Sequence, residues 1–292
     1  MTDRTKSIRI IVNPVAGEDE PVIAALNDAF HEAPLDWKIS VTDEQGDGAR
    51  FAREAREEGV DMIAVYGGDG TINDVLQGIH PSHIPMLVLP GGTGNGVVSV
   101  LDSPRELKQA AQCIASGDYN LLKADIGRIG DRLFMLRVDI GDVVETIENL
   151  ERDTKDQYGM LAYYYAVGRI FVDDRDLPFR FILDGEREVK RDAAAFILLN
   201  LRRKNPDNHA ENIQNGELEF FLVRSGMKEL LKGITAYVDL ADTDDFFEIF
   251  SAKTIRVETP EPLMVLADGE PCGETPIDIE LLPQAVTLVV PT

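Results

Sequence analysis

The stretch Met62-Ile63-Ala64-Val65-Tyr66-Gly67-Gly68-Asp69-Gly70-Thr71-Ile72-Asn73 decides how this chain folds. Its first five residues are apolar and partly β-branched, and they read as a buried strand. The glycines that follow lack a Cβ, so the backbone can approach an anion and aim several N–H groups at it. A helix opening after Thr71 would add the positive end of its dipole. Asp69 stands among these glycines, and a carboxylate beside a polyphosphate makes sense with a divalent cation between them. Thr71 and Asn73 are suited to cap the helix or donate to phosphate.

The same grammar extends to both sides. Ile8-Arg9-Ile10-Ile11-Val12 reads as a strand closed by Asn13-Pro14, which is also a helix-start signal. Val22 to Phe30 has helical spacing, Trp37 to Val41 reads as a strand, and Ala49 to Glu58 as a charged helix stopped by Gly59. Met86 to Leu89 is a fourth strand, and Pro104 to Ser116 a later helix. Strands alternating with helices imply right-handed crossovers and a parallel, Rossmann-like sheet. Ligands of such sheets gather beyond the carboxyl ends of the strands. Those ends are Asn13-Pro14-Val15-Ala16-Gly17, Gly67 to Asn73, and Pro90-Gly91-Gly92-Thr93-Gly94-Asn95. No Gly-x-x-x-x-Gly-Lys-Ser/Thr string is present, so an ordinary P-loop is excluded.

After Leu121 the pattern changes. Arg128 to Val138, Phe179 to Leu183, Ala194 to Leu199, Glu217 to Val223, Thr254 to Glu258, Leu263 to Ala267 and Val286 to Val290 are strand-like. Gly130-Asp131 and Asp184-Gly185 are hairpin-turn signals. Only two helical stretches interrupt them, Leu161 to Phe171 and Met227 to Leu240. The expectation is an α/β nucleotide-binding domain over 1–121 and a mainly antiparallel β-sandwich domain over 122–282, with the tail 283–292 returning to the first.

Composition narrows the classes. Of 292 residues, 44% are hydrophobic and 28% charged, which excludes disordered and fibrous chains. No apolar run reaches the length of a membrane-spanning helix. Met1 to Ile10, with Asp3, Arg4 and Lys6, is not read as a signal peptide. Cys113 and Cys272 are far apart and lack metal spacing, which points to reduced thiols in the cytoplasm. The net charge of −23 disfavours nucleic acid, which needs a basic stripe. It also disfavours adhesion to strongly anionic membranes. With no clear membrane anchor in the sequence, any membrane contact is expected to be peripheral, at the inner face. A homodimer is left open.

The order Asn-Pro-x-Ala-Gly, Gly-Gly-Asp-Gly-Thr-Ile-Asn and Gly-Thr-Gly-Asn resembles the diacylglycerol kinase catalytic domain family, which includes bacterial lipid kinases and sphingosine kinases. Its distant relatives are the NAD kinases. Tyr158-Gly159-Met160-Leu161-Ala162-Tyr163 is similar to the family's mid-chain helix, and Asp268-Gly269-Glu270 to its late Asp-Gly-Glu, so the resemblance spans nearly the whole chain. It implies a nucleotide domain joined to a sandwich domain and an ATP- and Mg²⁺-dependent lipid kinase. By position, Asn13, Pro14, Gly17, Thr42, Gly67, Gly68, Asp69, Gly70, Thr71, Asn73 and Thr93 would contact ATP. Asp69 and Asp125 would organise Mg²⁺, directly or through water. Glu270 would be the general base on the acceptor hydroxyl, with Asp69 the second catalytic carboxylate.

Some positions depart from the family. Asp-Gly-Glu also occurs at Asp184-Gly185-Glu186, so only its place near the C-terminus favours Glu270. Gly96 stands where many bacterial members carry Asp. Asn200 to Pro206, with the basic cluster Arg202, Arg203 and Lys204, replaces a glycine-rich stretch. Asn215-Gly216 replaces an Asp-Gly tied to a structural Mg²⁺, so no such second metal is expected. Tyr158 to Phe171 and Phe246 to Phe250 are aromatic stripes that either pack in a core or line an apolar acceptor pocket. Two rival functions remain: a soluble small-molecule kinase resembling NAD kinases, and a nucleotide-binding relative without catalysis. Against the first, the Thr-Gly-Ser/Thr-Thr-Ala-Tyr-like stretch of NAD kinases is missing.

Overall fold

A computed structural model describes residues 7–16, 21–91, 96–141, 176–201, 213–224 and 248–291. The helical stretches expected at Leu161 to Phe171 and Met227 to Leu240 lie outside these residues, as do Tyr158 to Tyr163, Arg202 to Lys204 and Phe246-Phe247. The chain forms two compact units, Met1–Ala124 with Gln284–Thr292, and Asp125–Pro283. Among the described residues no helix is long and apolar enough to cross a membrane.

The first unit alternates β1 (Ser7–Val12), α1 (Val22–Phe30), β2 (Asp36–Val41), α2 (Asp47–Glu58), β3 (Met62–Gly67), α3 (Asp69–Ile79), β4 (Met86–Pro90), α4 (Gly96–Val100) and α5 (Leu107–Ser116). The strands lie in the order β2-β1-β3-β4, all parallel. On one face Ile8, Ile10, Val12, Met62, Ala64, Tyr66, Leu87 and Leu89 pack with Leu26 and Phe30 of α1 and with Leu107, Ala110, Ala111 and Ile114 of α5. Ile11, Ile63, Val65 and Val88 alternate with them and are equally buried. Burial on both faces explains why these strands read as continuous apolar runs. The last strand of the chain, β16 (Ile277–Pro291), sets Leu288 and Val289 parallel to Met86 and Leu87 of β4. Its reach back to Ile277 exceeds the expected run of Val286 to Val290, because its early residues alternate and carry a weak apolar signal.

The second unit is built from strands. One sheet has the order β12-β11-β10-β7-β14-β15, antiparallel throughout, formed by Ile249–Ala252, Leu218–Val223, Ala195–Leu199, Arg137–Gly141, Met264–Ala267 and Glu270–Glu274. The other joins β8 (Leu177–Leu183), β9 (Arg187–Ala193), β13 (Thr254–Glu258) and the first half of β16. β5 (Tyr119–Ile129) turns through Gly130-Asp131 into β6 (Arg132–Phe134). The core is aromatic: Phe181 and Phe196 have centroids 5.7 Å apart, and Phe181–Phe220, Phe196–Phe220 and Phe220–Phe250 are each 5.0 Å apart. Such contacts stabilise beyond the area they bury. Phe250 therefore belongs to the core rather than to a ligand pocket.

Candidate active site

The expected loop between β3 and its helix is almost absent. β3 runs through Gly67 and α3 begins at Asp69, so Asp69, Gly70 and Thr71 form the helix's first turn instead of preceding it. Gly68, extended at φ −79° and ψ 178°, makes the whole transition. Close packing explains the glycine at 67. A Cβ there would lie 2.6 Å from Thr71 Cβ and 2.7 Å from its Oγ1. A Cβ on Gly91 would meet the Gly67 nitrogen at 2.8 Å. The first-turn N–H groups have no intrahelical acceptor, and Gly68, Asp69 and Gly70 reach the surface. This is an anion-binding geometry.

Side chains tie the neighbouring strand ends to this turn. The Asn13 N–H donates to the Tyr66 carbonyl at 2.9 Å, and its Nδ2 donates to Thr71 Oγ1 at 3.0 Å. Its Oδ1 accepts the Val15 N–H at 3.1 Å, while the Ala16 N–H reaches the Asn13 carbonyl at 3.2 Å. Asn13-Pro14 thus opens a turn and not a helix, with proline's fixed φ at the second position. α1 starts only at Val22. Thr42 continues β2 by donating its N–H to the Val12 carbonyl at 2.9 Å. Asp69 accepts the N–H groups of Gly96 and Val97 at 3.3 and 3.4 Å, linking α3 to the start of α4. Asn13, Pro14, Thr42, Gly67, Gly68, Asp69, Gly70 and Thr71 therefore gather at one sheet edge. Gly17 and Thr93 lie outside the described residues.

Asn73 departs from the expectation. It is 1% exposed on the inner face of α3, and Gln77 Nε2 donates to its Oδ1 at 2.5 Å. Its side chain holds the helix and offers no surface to a ligand.

In the second unit, Asp125 on β5 is 2% exposed and accepts the Gly216 N–H at 2.8 Å. Asn200 clamps the same region, donating to the carbonyls of Asp125 at 3.0 Å and Met135 at 2.8 Å. The sequence marks Asn200 only as the head of the stretch Asn200 to Pro206, although an Asn directly after the apolar run of β10 is itself a signal. Asp268 is braced strongly: its carboxylate accepts the N–H groups of Met135, Leu136 and Arg137 at 2.7, 2.8 and 2.9 Å. Two residues on, Glu270 opens β15 opposite Ala267. Its side chain is 42% exposed, with Arg132 Nη2 3.8 Å away. Glu186 is exposed in the loop after β8. Asp139 is fully buried beside Arg137 Nε at 3.1 Å, and burial pushes its carboxyl above the usual range against that guanidinium.

Among the described residues no group of three or more His, Cys, Asp or Glu forms a metal cage. Phosphoryl-transfer Mg²⁺ does not require one, since it takes one or two carboxylates plus phosphates and water. Asp69 fits that role, as a part-buried carboxylate beside exposed helix N–H groups. Asp125 fits it less directly, because burial and Gly216 already engage its carboxylate.

Comparison with known proteins agrees with this geometry. A Streptococcus pneumoniae protein provisionally named a lipid kinase is 28% identical over 96% of this chain and 97% of its own. The crystal structure of a diacylglycerol kinase from Bacillus anthracis, 25% identical, superposes with a TM-score of 0.77 over 99% of this chain and 98% of that one. An NAD kinase from Archaeoglobus fulgidus shares the fold, with 12% identity and a TM-score of 0.53 over 98% and 93% of the two chains. Residues 7–129, from β1 to the end of β5, match the model of the diacylglycerol kinase catalytic domain. Over these residues the chain is similar to the diacylglycerol kinase catalytic domain family.

Proposed function

We propose that this chain is an ATP-dependent lipid kinase that phosphorylates a hydroxyl of diacylglycerol or a related long-chain alcohol. The observation that carries the reading is the first turn of α3, where Gly68, Asp69 and Gly70 surface beside Asn13 and Thr42. The match of residues 7–129 to the family model and the names of the relatives support the acceptor class.

In this reading the phosphates of ATP lie against the N-terminus of α3, and Asn13, Thr42 and Thr71 orient them. Asp69 would hold Mg²⁺, with Asp125 as a further carboxylate toward it, and the ion would supply charge neutralisation when bound. Glu270 takes the proton of the acceptor hydroxyl while that oxygen bonds to the γ-phosphorus. The bond from the γ-phosphorus to the bridging oxygen breaks, and ADP leaves. A half-exposed carboxylate suits this proton transfer, and phosphoryl transfer otherwise depends on positioning and charge.

The test is transfer of labelled phosphate from ATP to a lipid extract, with the product identified by mass spectrometry. The expected result is a phosphorylated lipid alcohol, lost on chelating Mg²⁺. Asp69→Asn should lower turnover by about 100-fold or more. Transfer to soluble alcohols alone would replace the lipid reading. Binding of ATP with no transfer to any acceptor would replace catalysis itself.

A further inference from the structure

The loop between β2 and α2 carries Thr42, and one side chain outside the residues assigned so far controls it. Asp47 is the first residue of α2 and follows Gly46, whose φ is +86°. A carboxylate at a helix start ordinarily bonds forward, to N–H groups of the first turn. Asp47 bonds backward. Its Oδ2 accepts the N–H of Asp43 at 3.0 Å and that of Glu44 at 3.2 Å. Its own N–H closes the loop onto the Glu44 carbonyl at 3.2 Å. Oδ1 meets Arg50 Nη2 at 2.7 Å, and Arg50 also reaches Glu54 at 3.1 Å. The Asp43 N–H, then Arg50 and the Glu44 N–H, hold the carboxyl down to about 2, so it is ionised throughout the neutral range. Its backbone N–H partners therefore lie in the loop, and its helix partner is the Arg50 side chain.

We infer that Asp47 is a positioning residue for the nucleotide: it freezes Thr42 to Gly46 so that Thr42 stands beside Asn13 before ATP arrives. This rests on the proposed nucleotide site at that edge. A loop ordered in advance loses less entropy on binding, so its brace contributes to affinity without touching the ligand. Thr42 is otherwise held by its bonds to the single carbonyl of Val12, its N–H at 2.9 Å and its Oγ1 at 3.4 Å.

Asp47→Ala, Asp47→Asn and Arg50→Ala in the full chain test it, by calorimetric titration with Mg²⁺·ATP and by turnover on the lipid acceptor. Asp47→Ala should weaken ATP binding and raise KM for ATP roughly tenfold, with kcat at saturating ATP and KM for the acceptor unchanged. Asp47→Asn keeps an oxygen for both loop N–H groups, and Arg50→Ala keeps the whole carboxylate. Both should stay within about twofold of the parent. The inference is overturned if Asp47→Ala binds ATP like the parent and only melts earlier. It also falls if Arg50→Ala or Asp47→Asn is as weak as Asp47→Ala, since helix stability or charge would then explain the effect. If the parent chain binds no ATP, the nucleotide reading fails and takes this inference with it; parental binding separates the two failures.

Discussion

The tripeptide Asp-Gly-Glu occurs twice in this chain, and the two copies make the same turn for different ends. In both, Asp and Gly adopt positive φ: 52° and 73° at Asp184-Gly185, 49° and 82° at Asp268-Gly269. In both, the Asp N–H donates to a carbonyl of a neighbouring segment, Thr254 or Arg137, and the carboxylate accepts N–H groups in return. The difference lies in loop length. Leu183 pairs with Arg187, so Glu186 is the third residue of a loop and projects into solvent. Ala267 pairs with Glu270, so that loop has two residues and its Glu belongs to a strand. Pro271, which has no N–H for a ladder, pairs with Leu266 on β15, an edge strand among the described residues, where proline is tolerated.

The comparison breaks most sharply on activity. Glu270→Gln should cut lipid phosphorylation by about 10² to 10⁴-fold, the usual range for a general base, while Glu186→Gln leaves it unchanged. Equal loss, or none, in steady-state turnover of the two variants would remove the distinction. Stability comes next. Asp268→Ala strands three part-buried N–H groups, at a cost of about 3 kcal/mol in a urea titration. Asp184→Ala frees two exposed N–H groups, of Lys253 and Thr254, which water can satisfy, so its cost should stay below about 1 kcal/mol. The smallest contrast is a deliberate equality. Gly269→Ala and Gly185→Ala each force a side chain into the left-handed region with no steric contact, and each should cost roughly 1 kcal/mol by thermal melting. A larger loss at Gly269 alone would mean that the hairpin geometry near Glu270 is under tighter constraint than its contacts indicate.

Much of the fold was legible because burial leaves a periodic trace. The apolar strands β1, β3 and β4 and the charged helix before Gly59 stand close to where periodicity put them. The misreadings share one cause: local signals have several uses. Asn13-Pro14 starts helices in general, yet here the Asn13 side chain is committed to Thr71, far away in sequence. Asn73 lies in the strongest motif of the chain, but the helical period turns it inward. Asp47 was overlooked because the helix signal began at Ala49, and a backward-bonding carboxylate leaves no pattern in composition.

The residues by themselves determined the parallel sheet, the glycines that let β3 turn straight into α3, and the resemblance to a kinase family. These follow from short-range steric and hydrophobic rules that act within a dozen residues. Tertiary structure alone decided which of two identical tripeptides is held in a strand, which polar side chains of the motif face outward, and which carboxylate braces the Thr42 loop. Those outcomes depend on hydrogen bonds between residues more than a hundred positions apart, such as Asp268 with Met135, or on backbone direction at a single turn, and neither is written in any one stretch of sequence.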